Sequence, residues 1–546
     1  MRSQTLAHKL SITVVALVAI AACSSSKQDA SASQVNVVIA AGESLQGERL
    51  DDHSTVTVFR GIPYAAPPVG SLRWRSPIAH VPRAGKQDAT RFAPACPQLQ
   101  GNHDWYRRVA TLFGNPPETI GPLENIAEDC LYLNVWTSAM PPAEKKPVMV
   151  WLHGGSNING YANEPNYLGH NIASRDIVYV SFNHRLGVLG FMAHPALSAE
   201  SPLGVSGNYA LFDQIAALRW IQDNIEAFGG DPDNVTIIGE SSGGYNIAWL
   251  IASPLAGGLF HRAIIQSGGW AVNSFVTMKQ AENDGVSIAS SMGFDRPLGD
   301  IEIIESMREL DWLTIVSGAA NAYSGWYDAV VDDYLLTEPA AEIFEQGSFN
   351  NVDLLIGANE NERYMYLADD VGATGLTDMI ATLGGPYKTE LAEALENSAH
   401  PNTRRVMDRL GSRAGGFLCA SRFIATSMVE SANNVYFYYF TRIRPGGEKV
   451  LAYHGAEIPY VFGTADDWLP ADAIDHQLSD MMMRYWVNFA ATGSPNDSGL
   501  PDWPAYAPGF DHYQQLGDTI TSETNLDSEI CAILDRRRQD RLDVTQ

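Results

Sequence analysis

The segment that most constrains the fold is a serine boxed by glycines where a strand turns into a helix. Residues 235–238 (Val-Thr-Ile-Ile) read as a buried strand and run straight into Gly239-Glu240-Ser241-Ser242-Gly243-Gly244. A helical pattern resumes over residues 245–252. The chain must therefore reverse from strand to helix within a few residues. Glycines at 239 and 243 let neighbouring segments pass close to Ser241. The tight turn pushes the serine hydroxyl out at the C-terminal edge of a sheet, where open α/β sheets bind their ligands. The helix N-terminus behind it favours developing negative charge. No lysine follows the glycines, so the pattern does not fit a phosphate-binding loop. The spacing predicts Ser241 as a nucleophile.

The rest of the chain supplies a sheet to carry such a turn. Residues 147–152 (Pro-Val-Met-Val-Trp-Leu) and 177–182 are continuous apolar runs, the mark of central strands covered on both faces. Over residues 208–228, Leu211, Ile215, Leu218, Ile221 and Ile225 fall on one helical stripe, which Gly229-Gly230-Asp231-Pro232 ends. Further strands are expected at residues 56–59, 131–136, 263–266, 352–356 and 435–439. Pro63, Pro67 and Pro68 force an extended, turning path between the first two. Strands alternating with helices predict the α/β class: a large, central, mostly parallel twisted sheet flanked by helices. No repeat or low-complexity run breaks the chain after about residue 35, so residues 37–546 are expected to form a single domain with long insertions.

The N-terminus reads as a targeting segment. Arg2 and Lys9 precede an apolar run over residues 10–22, the length of a secretory core and short for a membrane span. It ends in Ile20-Ala21-Ala22-Cys23, which resembles a bacterial lipobox. Residues 1–22 are then a lipoprotein signal peptide, Cys23 carries lipid, and the polar, Ser/Ala-rich residues 23–36 are a flexible tether. That implies an exported envelope protein that meets the membrane only through its lipid anchor. Of five cysteines, Cys96, Cys130, Cys419 and Cys531 remain, enough for two disulfides in an oxidising compartment; parity leaves three pairings open. The net charge of −27 excludes nucleic acid as a natural partner.

A serine hydroxyl is inert until a base removes its proton, and the tetrahedral intermediate needs donors for its oxyanion. His153-Gly154-Gly155-Ser156 follows the buried run ending at Leu152. The backbone N–H groups of Gly155 and Ser156, with that of Ser242, are the candidate oxyanion hole. Losing one such donor typically raises the barrier by ~3 kcal/mol.

Taken together, these segments resemble the type-B carboxylesterases, the α/β-hydrolase family that also holds the cholinesterases. The resemblance covers roughly residues 37–535. It is carried by Phe59-Arg60-Gly61-Ile62-Pro63-Tyr64, by Glu128-Asp129-Cys130-Leu131-Tyr132-Leu133-Asn134-Val135, by residues 228–244, and by Trp486-Val487-Asn488-Phe489-Ala490 with Trp503-Pro504. It implies a serine esterase of the α/β-hydrolase fold that acts on small-molecule esters without metal or organic cofactor. It also assigns what periodicity could not choose among thirteen histidines: His454, in Tyr453-His454-Gly455-Ala456-Glu457, as the base. Glu362, in Gly357-Ala358-Asn359-Glu360-Asn361-Glu362, is the implied orienting acid, with Glu360 as its rival. The implied disulfides are Cys96–Cys130 and Cys419–Cys531.

Two departures stand out. Ser156 and Asn157 replace the usual small residue and aromatic of the oxyanion loop, and Ser242 replaces the alanine after the nucleophile. The loop region where cholinesterases carry a platform tryptophan reads Pro117-Glu118-Thr119-Ile120-Gly121-Pro122-Leu123, without an aromatic residue, and Trp105 lies farther off in the same loop. This argues against choline esters. Some members of the family are inactive binding modules that lack a triad residue. Here serine, glutamate and histidine all stand in matching segments. The oligomeric state is not legible in the sequence.

Overall fold

A computed structural model describes residues 34–545, apart from 41, 139, 141–143, 274, 295–300, 324–326, 397–401 and 432. The expected signal peptide, Cys23 and most of the tether lie outside the described residues.

Among the described residues the apolar runs pair edge to edge into one thirteen-stranded sheet. Its N-terminal part holds β1 (Gln34–Val38), β2 (Ser44–Arg49), β3 (Thr57–Pro63) and β4 (Tyr132–Thr137). The central strands are β5 (Lys146–Leu152), β6 (Val178–Phe182), β7 (Gly230–Glu240), β8 (Arg262–Gln266), β9 (Asp353–Asn359) and β10 (Val435–Phe440). β11 (Tyr513–Leu516) and β12 (Ile520–Glu523) close the far edge, and the short strand Lys86–Asp88 pairs with β2. The spatial order is β1-β2-β3-β4-β6-β5-β7-β8-β9-β10-β11-β12. From β6 to β11 every pairing is parallel; the pairings at both ends are antiparallel, apart from the parallel pairing of Lys86–Asp88 with β2.

The central runs are apolar throughout because both faces are covered. Val148, Val150 and Leu152 of β5 join one core with α1 (Tyr209–Asn224) and α2 (Ser242–Ala252). Met149 and Trp151 point the other way, into a second core with Trp486 and Phe489 of α5 (Ala473–Thr492). Beyond β9 the chain adds α3 (Thr403–Ala414) and α4 (Leu418–Glu430), and it ends in α6 (Ser528–Thr545).

Two boundaries differ from expectation. β1 begins at Gln34, inside the stretch read as tether and ahead of the expected domain start at 37, because Gln34-Val35-Asn36 continue the antiparallel ladder against Glu48, Gly47 and Gln46. The helix expected over residues 208–228 ends at Asn224; residues 225–228 tighten into a 3₁₀ turn before Gly229, whose φ of 82° ends it. The disulfides are Cys96–Cys130 and Cys419–Cys531, spanning 34 and 112 positions. Among the described residues no helix is long and apolar enough to cross a membrane.

Candidate active site

Three neighbouring parallel strands end at one place. β7 delivers Ser241, β9 is followed two residues on by Asn361-Glu362, and β8 between them is followed by Ser267. The long connection after β10 brings back His454.

Ser241 sits at φ 54°, ψ −123°, a conformation that costs a non-glycine residue roughly 1–3 kcal/mol. Its N–H donates to the Gln266 carbonyl at 2.9 Å, and its carbonyl accepts from the Tyr245 N–H at 3.0 Å. The flanking glycine is required by packing: a β-carbon on Gly243 would stand 2.1 Å from the Leu152 carbonyl oxygen at the end of β5.

That same strand end opens into the candidate oxyanion loop. Gly155, Ser156 and Asn157 all have positive φ, at 111°, 58° and 58°. A β-carbon at Gly155 would meet the Asn159 carbonyl oxygen at 2.3 Å, so only glycine fits. Asn157, the departure from the family's aromatic, ties the loop to its surroundings. Its amide donates to the Tyr327 carbonyl at 3.0 Å and accepts from Asn246 of α2 at 3.0 Å. Ser242 opens α2 beside the nucleophile, and among the described residues its buried hydroxyl has no hydrogen-bond partner.

His454 Nδ1 lies 2.6 Å from Glu362 Oε2. Glu362 is fully buried, and its other oxygen accepts from the Ser267 hydroxyl at 2.6 Å and the Asn359 N–H at 2.7 Å. That leaves the carboxylate a single orientation, aimed at the imidazole. Glu360 takes no part in this contact: its carbonyl accepts from Arg413 Nη1 at 3.2 Å.

On its other side, His454 Nε2 faces Glu240 Oε1 at 3.3 Å. Burial opposes the imidazolium, but Glu240 and Glu362 outweigh it and hold the pKa up to about 9. Burial pushes the Glu240 carboxyl up to about 8, although His454 pulls it down. Burial and Glu362 also raise Glu457, which is anchored by the side-chain amides of Gln266 at 3.0 Å and Asn359 at 2.5 Å.

A cavity of about 230 Å³ opens onto Ser241, His454, Gly155 and Ser156. Trp105, Tyr106 and Tyr366 line it together with Glu164 and Glu240, and Trp105 Nε1 donates to the Tyr366 hydroxyl at 2.8 Å. Trp105, read from the sequence as lying far off in its loop, is thus a wall of the site. Glu240, Ser267 and Tyr366 also went unread. Glu240 occupies a spacer position of the serine motif, and the other two follow strand ends with no motif of their own. Among the described residues no group of three His, Cys, Asp or Glu side chains is placed to hold a metal ion.

The sheet order and the serine elbow define an α/β-hydrolase, and the comparisons agree. The sequence profile of the carboxylesterase family matches residues 33–534, and the chain belongs to that family. It is 33% identical over 473 residues to the fumonisin B1 esterase of Sphingopyxis macrogoltabida, covering 83% of this chain and 82% of that one. It is 31% identical over 486 residues to the para-nitrobenzyl esterase of Bacillus subtilis, covering 86% and 93%. Among solved structures, a carboxylesterase of Geobacillus stearothermophilus superposes with a TM-score of 0.77 at 29% identity, over 91% of this chain and 99% of that one. A PNB esterase superposes with a TM-score of 0.78 at 30% identity and the same coverage. The protein is a carboxylesterase.

Proposed function

We propose that the protein cleaves carboxylic esters through an acyl-enzyme on Ser241, with His454 as general base and Glu362 as the carboxylate that orients it. The observation that carries this reading is the 2.6 Å contact between His454 Nδ1 and the buried Glu362, at the cavity that Ser241 lines. His454 Nε2 takes the hydroxyl proton as Ser241 Oγ attacks the ester carbonyl. The N–H groups of Gly155, Ser156 and Ser242 hold the oxyanion. His454 then gives its proton to the leaving alcohol. Water, deprotonated by the same base, releases the acid. Glu362 stabilises the imidazolium and takes no proton itself. Small and medium-sized esters are the proposed substrates. Hydrolysis of p-nitrophenyl acetate, butyrate and palmitate by the wild type and by Ser241→Ala tests this. Turnover of the short esters by the wild type, with the variant at background, is the expected result. Equal rates in the two proteins would remove Ser241 from the mechanism.

We also propose that the enzyme is exported and held at the cell envelope by lipid on Cys23. The basic start, the apolar run over residues 10–22 and Ile20-Ala21-Ala22-Cys23 support this. Incorporation of labelled palmitate into the wild type and its loss in Cys23→Ala is the expected outcome. An unlabelled wild-type protein overturns the assignment.

A further inference from the structure

A second cavity, of about 420 Å³, lies beside the catalytic residues. Two of its walls touch them. Tyr245, one helical turn beyond Ser241, donates its backbone N–H to the serine's carbonyl at 3.0 Å. Phe417 sets its ring edge-on against His454, with centroids 5.2 Å apart. The cavity therefore comes within one side chain of both nucleophile and base.

The charge of this cavity is the reverse of the molecule's. The chain carries 63 acidic and 36 basic residues. Yet the cavity is lined by Arg363, Arg413, Arg537, Arg538 and Arg541, with Asp535 as the single carboxylate among its lining residues. Two of the guanidinium groups are committed to the fold. Arg413 pairs with Asp527 and donates to the Tyr439 hydroxyl, and Arg538 pairs with Asp535 at 2.9 Å. Two others are not. Arg363 lies over the ring of Tyr366 and Arg537 packs on the backbone of Gly385, and among the described residues neither is in an ion pair. Burial and then the charges of Arg537 and Arg538 lower the proton affinity of Arg541.

This crowding is held by covalent structure. Arg537, Arg538 and Arg541 all lie on α6, which Cys531 fastens to Cys419 of α4, itself a wall of the cavity and two residues from Phe417. Arg363 follows Glu362 directly, so the backbone that aims the proposed orienting acid also sets the position of this arginine. A cleft lined by one sign of charge, with low-dielectric walls, concentrates ligands of the other sign. A guanidinium meets a carboxylate through two parallel N–H donors. Trp270, Leu383 and Leu534 supply apolar wall for a methylene chain. The first cavity has a different character: Glu164 and Glu240 line it, and no arginine or lysine is among its lining residues.

We infer that the second cavity is a subsite for an acyl group bearing a terminal carboxylate, held by Arg363 and Arg537, so that monoesters of aliphatic dicarboxylic acids are preferred substrates. The inference rests on Ser241 being the nucleophile. The acyl chain leaves the serine between Tyr245 and Phe417 and ends at the arginines, while the alcohol occupies the cavity lined by Trp105.

The test compares p-nitrophenyl hexanoate with mono-p-nitrophenyl adipate, which differ only in a terminal carboxylate, using the disulfide-intact protein. In the wild type kcat/KM should favour the adipate, and added salt should shrink the preference. In Arg537→Gln or Arg363→Gln the adipate-to-hexanoate ratio should fall by about tenfold or more, the value of one lost charged hydrogen-bond pair. Arg537→Lys, which keeps the charge but loses the fork, should restore part of it. Butyrate esters of 4-hydroxybenzoate, with the carboxylate on the alcohol, should show no such preference. Independently of any variant, free adipate should inhibit hexanoate hydrolysis more strongly than free hexanoate does. A wild-type ratio of one or below, a ratio unchanged in the arginine variants, or equal inhibition by the two acids overturns the subsite. Hydrolysis of both esters by Ser241→Ala at the wild-type rate would instead overturn the serine mechanism.

Discussion

Oε1 of Glu240 stands 3.3 Å from Nε2 of His454, on the side of the imidazole away from Glu362. The proposed base is therefore held between two carboxyl groups. Burial disfavours its charge, but Glu240 first and Glu362 second overcome this and hold the pKa up to about 9. A general base works only when neutral, so activity should rise with pH and level off only above that value. Glu240→Gln removes the carboxylate that contributes most to the upward shift. The acid limb of kcat/KM against pH should then move to lower pH, by about one unit or more. A limb that stays in place, or moves upward, would show that Glu240 does not charge the base.

Glu362 and Glu360 are two residues apart but face different partners. Glu362 holds His454, whereas the segment at Glu360 is bound to Arg413. Glu362→Gln should lower kcat by about 10³–10⁴-fold, since it leaves the imidazole misoriented and its charge unpaired. Glu360→Gln should cost less than about tenfold, through local packing alone. Steady-state rates on p-nitrophenyl butyrate decide between them, and a larger loss in Glu360→Gln would reverse the assignment.

What could be read from the sequence follows from how local each signal is. The β5 and β7 runs were legible because strands covered on both faces carry unbroken apolar residues. The elbow at Ser241 was legible because strand, turn and helix are contiguous. His454 and Glu362 were not legible from pattern. They lie 92 positions apart, Glu362 just after β9 and His454 on the long connection after β10, and only the family resemblance paired them. Glu240 was hidden inside the motif itself, as a spacer with no assigned role. Trp105 reaches the site from the helix Gly101–Leu112 to meet Tyr366, a contact across 261 positions that no local periodicity encodes. The arginines of the second cavity come from the segment after β9, from α3 and from α6, so the charge reversal exists only in the folded chain.

Ser242 bears on whether a departure from the family has a cost. Its N–H is a proposed oxyanion donor, but its hydroxyl is buried with no partner among the described residues. An unsatisfied buried hydroxyl costs about 1–3 kcal/mol. Ser242→Ala keeps the N–H and removes the unpaired group. The variant should therefore be more stable by about 1 kcal/mol in urea unfolding, with kcat/KM on short esters within about threefold of the wild type. A destabilised Ser242→Ala would mean that the hydroxyl has a partner in solution.

The two disulfides should differ in what their removal does. Cys96–Cys130 closes a span of 34 positions and Cys419–Cys531 one of 112. If cross-links act by restricting the unfolded chain, the longer span stabilises by about 1 kcal/mol more than the shorter, within a typical range of about 2–4 kcal/mol each. The second bond also fastens the arginine-bearing α6 to α4, close to Phe417 and His454. Replacing Cys419 and Cys531 together with serine should lower the melting temperature more than replacing Cys96 and Cys130. It should also erode the preference for carboxylate-bearing acyl groups, because the arginines would no longer be held against the catalytic wall. The first pair, remote from that cavity, should change stability and leave the preference intact. If both double variants lost the preference equally, the selectivity would follow overall stability and not the placement of α6.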